Sequence, residues 1–316
     1  MTAKLAQAEI LGFIPHRYEN VLVDGVDREE STCTATLALA EDDPAGRDIF
    51  LRTAPDGTSV LEHVIPEHLA LASLCQLGDI GEGKLAFFSS ITNFQRTALI
   101  PAGQPLRSEL KRERDRGMFR RFKGKTSNAQ GVEVASANIM AFILDTTAAQ
   151  PQDEGKKAEL PPMTGSSPVS TDRYRWKRPE MCFVSACRHL DLQARQATLS
   201  YVYPADHPLT KGHFPGNPVM MGITQWIGAS DAADWLAFAL IEAGQLPCPG
   251  QIKADITLLK PDGAAVAEIA GLVNAYDRDA DGRVISQTLA TKRIGFRDMV
   301  RPGEEIIYAA TIQGAD

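Results

Sequence analysis

"KGHFPGNPVMMGITQW", residues 211–226, is the stretch whose reading decides the fold. It sets His213 among Gly212, Pro215, Gly216, Pro218 and Gly222, then runs straight into apolar text. Glycine and proline at this density spell a shaped loop. The apolar run after it predicts a helix from about Met221 to Glu242, apolar enough to be buried all round. A histidine titrates near working pH and can act as a general base. The N–H groups at a helix start can hold negative charge that develops on an oxygen. Gly222 stands where loop becomes helix, and lacking a Cβ it lets a ligand approach the backbone.

Outward from the loop, "FVSACRHL" and "QATLSYVYP" before it read as strands, as do "IKADITLLK", "AVAEIAGLVNAY", "RVISQTLATKRIGF" and "EEIIYAATI" after the helix. The first half repeats this order. "NVLVDGV" and "TCTATLALA" precede a helical stretch from about Pro66 to Ile80, and "LAFFSSITNF", "PLRSELKRERD", "GMFRRFKGKTS" and "VEVASANIMAFIL" follow it. The repeat reaches down to a phrase. "NFQRTALIPAGQPLRSEL" (93–110) and "GFRDMVRPGEEIIYAAT" (295–311) share an aromatic, a basic residue, a proline, a glycine and a following strand. In the second half that phrase comes late, after an additional hairpin from about 250 to 285. The strand order there is therefore expected to differ. Between the halves, residues 146–172 are rich in Pro, Ser, Thr and charge and read as a linker. The division is an N-terminal unit 1–145, the linker, and a C-terminal unit 173–316. Self-similarity at half the chain length suggests duplication into an internal pseudo-dimer.

The loop resembles the signature of the β-hydroxyacyl-acyl-carrier-protein dehydratases of the FabA/FabZ type, Gly-His-Phe-Pro-Gly-x-Pro-Val-Met-Pro-Gly. It keeps Gly212, His213, Phe214, Pro215, Gly216, Pro218, Val219, Met220 and Gly222, and departs at Met221. "ILGFIPHRYENVLVDGV" (10–26) is similar to the family's opening, and the strands after the first helix are similar to its later strands. The resemblance implies an α+β hot-dog fold, an antiparallel sheet wrapped round a long central helix. Two would lie in one chain: a double hot dog with two sheets. It also implies removal of water from a 3-hydroxyacyl thioester carried by acyl carrier protein or coenzyme A. His213 would be the base, Gly222 would lie beside the thioester oxygen, and Phe214 and Gly216 would help bind the substrate.

The family places its acid fourteen residues after the histidine, and here that position is Ile227; the matching place in the first helix is Ala72. Neither transfers a proton. Asp231 lies one turn beyond Ile227 on the same helix face, and His63 in "LEHVIPEHL" could oppose it as a base. Ser73, Cys75, Gln76 and Glu67 are polar groups on the helix that His213 would face. Gln76 could orient a hydroxyl, and Cys75 as a nucleophile is disfavoured by its apolar helix. Two rivals to the dehydratase stay open: a thioesterase using Asp231 or a water, and an acyl-binding protein without turnover.

Composition bounds the partners. A net charge of −7 argues against a general nucleic-acid or membrane-surface binder. No apolar run approaches the ~20 residues that span a bilayer. Nothing at the start reads as a secretory signal, so the cytoplasm is the expected compartment. The five scattered cysteines, with one C-x₄-C spacing at Cys182 and Cys187, support neither a disulfide framework nor a zinc site. No metal or cofactor is expected, and a homodimer of double hot dogs is possible. "KRERDRGMFRRFKGK" (111–125) is a basic patch, read either as a solvated hairpin or as a dock for an acidic carrier or coenzyme A phosphates. "DRDADG" (277–282) reads as a hairpin turn.

Overall fold

The computed structural model describes residues 3–54, 57–145 and 157–315. The first half contains β1 (Ala3–Leu5), α1 (Gln7–Phe13), β2 (Gly25–Arg28), β3 (Thr32–Leu37), the paired β4 (Leu51–Ala54) and β5 (Gly57–Val60), and α2 (Val64–Leu77). Four long strands follow: β6 (Lys84–Arg96), β7 (Leu106–Arg116), β8 (Phe119–Ser127) and β9 (Glu133–Asp145). The second half has β10 (Ser167–Pro168), β11 (Ala186–Asp191), β12 (Gln196–Val202) and α3 (Gly222–Glu242). It ends with β13 (Gly250–Leu259), β14 (Ala265–Arg278), β15 (Val284–Phe296) and β16 (Glu305–Ala315).

The two helices lie inside the protein. Every residue of α2 from Val64 to Gln76 is buried, so its sequence needs no polar face. Pro66 is accommodated in the first turn, where its missing N–H would have no partner one turn back. The helix ends at Gly78, whose φ of 68° suits glycine. In the strands the period is two: Leu106, Ser108 and Leu110 of β7 point inward while Arg107, Glu109 and Lys111 face solvent. An antiparallel sheet packed on a buried central helix in this way is the hot-dog fold. "NVLVDGV" begins as a 3-10 turn at Tyr18–Asn20, and its strand starts only at Gly25.

Among the described residues the long strands form one continuous 14-stranded sheet, where two sheets were expected. The join is β6 against β15, with Ile91 opposite Ile294. From its outer edge the first half runs β2-β3-β7-β8-β9-β6, and the second runs β11-β12-β16-β13-β14-β15. The hairpin β8–β9 follows the strand beside the pre-helix pair, whereas its counterpart β13–β14 precedes the central strand. Each half therefore travels round the same cycle of four places but enters it at a different one. The shared phrase 93–110 and 295–311 makes the same step in both, from the central strand to the strand beside the pre-helix pair. That is why it comes late in the second half.

Residues 146–156 of the expected linker lie outside the described residues. From 157 to 172 the chain runs along the second half, with Ala158 N donating to Gly263 O, Thr164 N to Arg188 O and Val169 N to Ser185 O. "DRDADG" is the β14–β15 turn, where Asp279 Oδ1 accepts from Asp281 N and Arg283 N. No helix among the described residues is long and apolar enough to cross a membrane.

Candidate active site

The 211–221 loop is held at both ends. Arg17 N donates to Gly212 O at 2.8 Å, and Met220 N donates to Val300 O at 2.8 Å. Gly212 is required for the first contact, since a Cβ there would lie 2.2 Å from Arg17 O. Asn20 Nδ2 adds a bond to Leu209 O. This stitching pulls the "IPHRY" segment of the first half against the loop of the second. Inside the loop, Phe214 takes a φ of 57° and Gly216 one of 85°. Left-handed backbone at a phenylalanine is uncommon and persists only where the surroundings enforce it. Here the Phe214 ring stacks on Phe87 at 5.5 Å and meets the His213 ring edge-on at 4.5 Å.

His213 is buried, with Nδ1 2.8 Å from Val219 O. A carbonyl accepts, so Nδ1 carries the proton and Nε2 keeps its lone pair. Burial, helped by the neighbouring His16, holds the His213 pKa well below its ordinary value, against the Val219 bond. The ring is thus neutral at physiological pH, as a base must be. His16 lies 4.8 Å from His213, ring centre to ring centre, and its Nε2 is 3.3 Å from Glu67 Oε1. Glu67 is buried in the first turn of α2.

His16, Glu67 and His213 together line a cleft of about 90 Å³ between the halves. Its other walls include Phe87, Ile91, Phe214, Val219, Gly222, Ile223, Gln225 and Phe296. Gly222 is the first residue of α3, and a Cβ there would press on the Phe296 ring at 3.0 Å. The first N–H groups of α3 have no carbonyl one turn back and are available to an oxygen in the cleft. The arrangement offers a proton acceptor, a carboxyl group and helix-end donors in a mostly apolar space. That is proton-transfer chemistry on a small polar group attached to an apolar chain.

The other expected residues lie elsewhere. Asp231 is buried and engaged: Lys177 Nζ donates to its Oδ1, and Phe183 N to its Oδ2 at 2.9 Å. Burial opposes the charge on Lys177, but Asp231 holds the ammonium above its ordinary value. His63 is set edge-on to Trp226 at 4.7 Å, its Nε2 lies 3.4 Å from Thr288 Oγ1, and burial pushes its pKa down to about 3. Asp231 and His63 do line one small cavity together, but the side chain bonded to Asp231 is Lys177. Gln76 stands at the far end of α2, where its Nε2 donates to Glu29 O and Glu30 O and stays outside the cleft. Burial pushes the Cys75 thiol up to about 12, the opposite of an activated nucleophile. Ile227 and Ala72 are core residues. A carboxyl group does line the His213 cleft, at Glu67, five residues before Ala72. His16 sits in the quoted "IPHRY" but carries no local signal of its own.

A buried histidine and a buried glutamate thus line one cleft between the two halves of the chain. No protein-family model matches the chain. It is 31% identical over 144 residues to the 3-hydroxyacyl-(acyl-carrier-protein) dehydratase FabZ of Rhodospirillum rubrum, covering 44% of this chain and 87% of that protein. It is 30% identical over 137 residues to FabZ of Halalkalibacterium halodurans, covering 43% of this chain and 96% of that one. The chain belongs to the FabZ dehydratase family. Among solved structures, the dehydratase domain of RzxB from Pseudomonas fluorescens overlays 88% of this chain and 99% of its own, with a TM-score of 0.44 and 11% identity.

Proposed function

We propose that this chain is a 3-hydroxyacyl-thioester dehydratase, a hydro-lyase with one active centre at the His213 cleft. The observation that carries the reading is the meeting of His213, His16 and Glu67 in one buried cleft, behind the family's loop. His213 Nε2 takes the proton from C2, beside the thioester carbonyl. The carbonyl oxygen gains negative charge against the first N–H groups of α3. Glu67 delivers a proton to the hydroxyl on C3; the C3–O bond breaks, water leaves, and the C2–C3 double bond forms. His213 ends with a proton gained and Glu67 with one lost. His16, between them, is placed to return it. The FabZ relatives are named for carrier-protein substrates, and we infer the same kind of carrier here, with coenzyme A thioesters as the alternative. The basic hairpin 111–125 would then meet the acidic carrier or the phosphates. Several of its charges are paired internally, as in Arg121–Glu113 at 3.3 Å.

We further infer that the halves arose by duplication, as a double hot dog. The common cycle of post-helix strands and the repeated phrase on the same step support this. The Asp231 form of the thioesterase alternative is disfavoured because Lys177 occupies that carboxylate. Its water-activated form is tested by thiol release from an acyl thioester, and the non-catalytic alternative depended on a missing acid, for which Glu67 is a candidate.

The test is dehydration of a 3-hydroxyacyl carrier-protein thioester, followed by the absorbance of the enoyl product. Turnover should be lost in His213→Ala and in Glu67→Gln. An inactive parent protein, or full activity in Glu67→Gln, would reject the reading.

A further inference from the structure

The cleft is lined by two polar side chains that the mechanism above does not use. One of them, Asp298, is paired with Lys260 at 2.9 Å; the other is Gln225. Gln225 is the fourth residue of α3, as Glu67 is the fourth of α2, and both reach the same cleft. Its backbone is ordinary helix, with N donating to Met221 O at 3.2 Å. Its side chain is not. Gln225 is buried, and its Oε1 has no hydrogen-bond partner. Among the described residues neither end of the amide is tied, whereas buried Gln76 on the other helix, whose Oε1 is also open, is anchored through Nε2 to three carbonyls and lies outside the cleft. Buried polar atoms are nearly always satisfied, and one left open at a cleft wall marks a place where a ligand supplies the partner.

The substrate of the proposed reaction supplies the complementary group. A hydroxyl is one donor and two acceptors. When Glu67 gives its proton to the oxygen on C3, that oxygen still carries its own hydrogen, and the hydrogen needs an acceptor. The walls Phe87, Ile91, Val219, Ile223 and Phe296 have side chains that offer none, and the Asp298 carboxylate is paired with Lys260 at 2.9 Å. We propose that Gln225 Oε1 accepts the hydrogen bond from the 3-hydroxyl, aims its lone pair at Glu67, and holds the departing water. Gln225 is then the residue by which the cleft tells a 3-hydroxyacyl thioester from the saturated acyl thioester of the same length. This rests on the dehydratase reading for its substrate but not for its test.

That test is binding, measured separately from turnover. Titration of the parent protein with 3-hydroxyacyl-pantetheine and with the saturated acyl-pantetheine of equal length gives a preference ratio. Gln225→Met keeps length and removes the acceptor. It should cut the preference for the hydroxylated ligand about tenfold, the size of one lost hydrogen bond to a buried partner, and leave affinity for the saturated ligand unchanged. Gln225→Ala, which leaves space instead of a methyl, should show the same loss of preference and serves if the first variant does not fold. Dehydration kcat/KM should fall with the preference. An equal loss for both ligands would make Gln225 a packing residue and overturn the proposal, as would an unchanged ratio. If the parent does not dehydrate yet loses its preference in Gln225→Met, the dehydratase reading fails and the assignment of Gln225 stands.

Discussion

Two groups of buried polar residues lie between the halves, and they are built in opposite ways. Around His213 the space is about 90 Å³, and His16 Nδ1 and the Gln225 amide oxygen have no hydrogen-bond partner. Around Asp231 the space shrinks to about 10 Å³, and most of the polar groups consume one another. Lys177 pairs with Asp231, and Arg52 with Glu62 at 3.1 Å. Glu62 Oε1 also accepts from Thr288 N at 2.6 Å, while Asp234 Oδ1 accepts from Asn274, Tyr276 and Ser286. Among the described residues Arg52 Nε and His63 Nδ1 are left over there, with Trp226 Nε1 and the Tyr308 hydroxyl beside them. Internal satisfaction suits groups that hold the fold, and open valences suit groups that wait for a ligand. On the proposed reading one centre works and the other braces.

The largest effects should separate the two centres cleanly. His213→Ala and Glu67→Gln should each lower kcat by about 10²–10⁴-fold, the usual worth of an acid or base, with little change in the urea midpoint. Lys177→Met should do the reverse. It leaves Asp231 charged and buried without its partner, at a cost of about 3–5 kcal/mol, read as a large drop in the urea midpoint, while turnover per folded molecule stays near the parent's. Adding Asp231→Leu to Lys177→Met should recover part of that stability, because the unpaired charge is gone. If Lys177→Met instead abolished turnover in folded protein, the bracing role would be wrong.

A subtler effect concerns the pH at which the working centre becomes active. The His213 pKa is held well below its ordinary value of 6.5 by burial and by His16. The acid limb of kcat/KM should therefore fall below the pH at which a free histidine titrates. An acid limb at or above the ordinary histidine value would assign the base to another group.

Much of this contrast could be read from the sequence, and the part that could not has a physical reason. The loop, the start of α3 and most strands follow local rules of periodicity and turn chemistry, and they stand within a residue or two of expectation. The late position of "GFRDMVRPGEEIIYAAT" even signalled the altered strand order of the second half. The acid was harder. Counting fourteen residues from His213 assumes one loop-to-helix spacing throughout, but the carboxyl facing His213 comes from the first half, where β4 and β5 precede the helix instead of the His213 loop. His16 is brought in by one backbone bond between Arg17 and Gly212, which no local pattern announces. Asp231 was misread for a related reason. Its place on the helix face is legible, but its partner Lys177 lies before the loop in sequence and is joined to it only by the fold.

The smallest expected effect tests whether the bracing centre carries a proton of its own. Asp234 is buried, and burial together with the nearby Asp231 raises its pKa from 3.8 to about 7, although the bonds from Ser286 and Asn274 pull the other way. Lys177 also faces it and lowers the value. A raised folded-state pKa means that the folded protein binds the proton more tightly than the unfolded chain does. The stabilisation is complete below the unfolded value of 3.8 and is lost as pH rises through about 7. His213, with its depressed value, acts in the opposite sense: its contribution is present above 6.5 and is lost as pH falls. The two slopes overlap, so total stability against pH cannot isolate Asp234, but a difference between proteins can. Asp234→Asn keeps the shape and one acceptor oxygen and removes the titration. The urea stability of the parent relative to Asp234→Asn should be greater at about pH 5 than at about pH 8. A difference that is flat across that range would show that Asp234 does not change its charge there, and that the bracing centre is held by fixed charges alone.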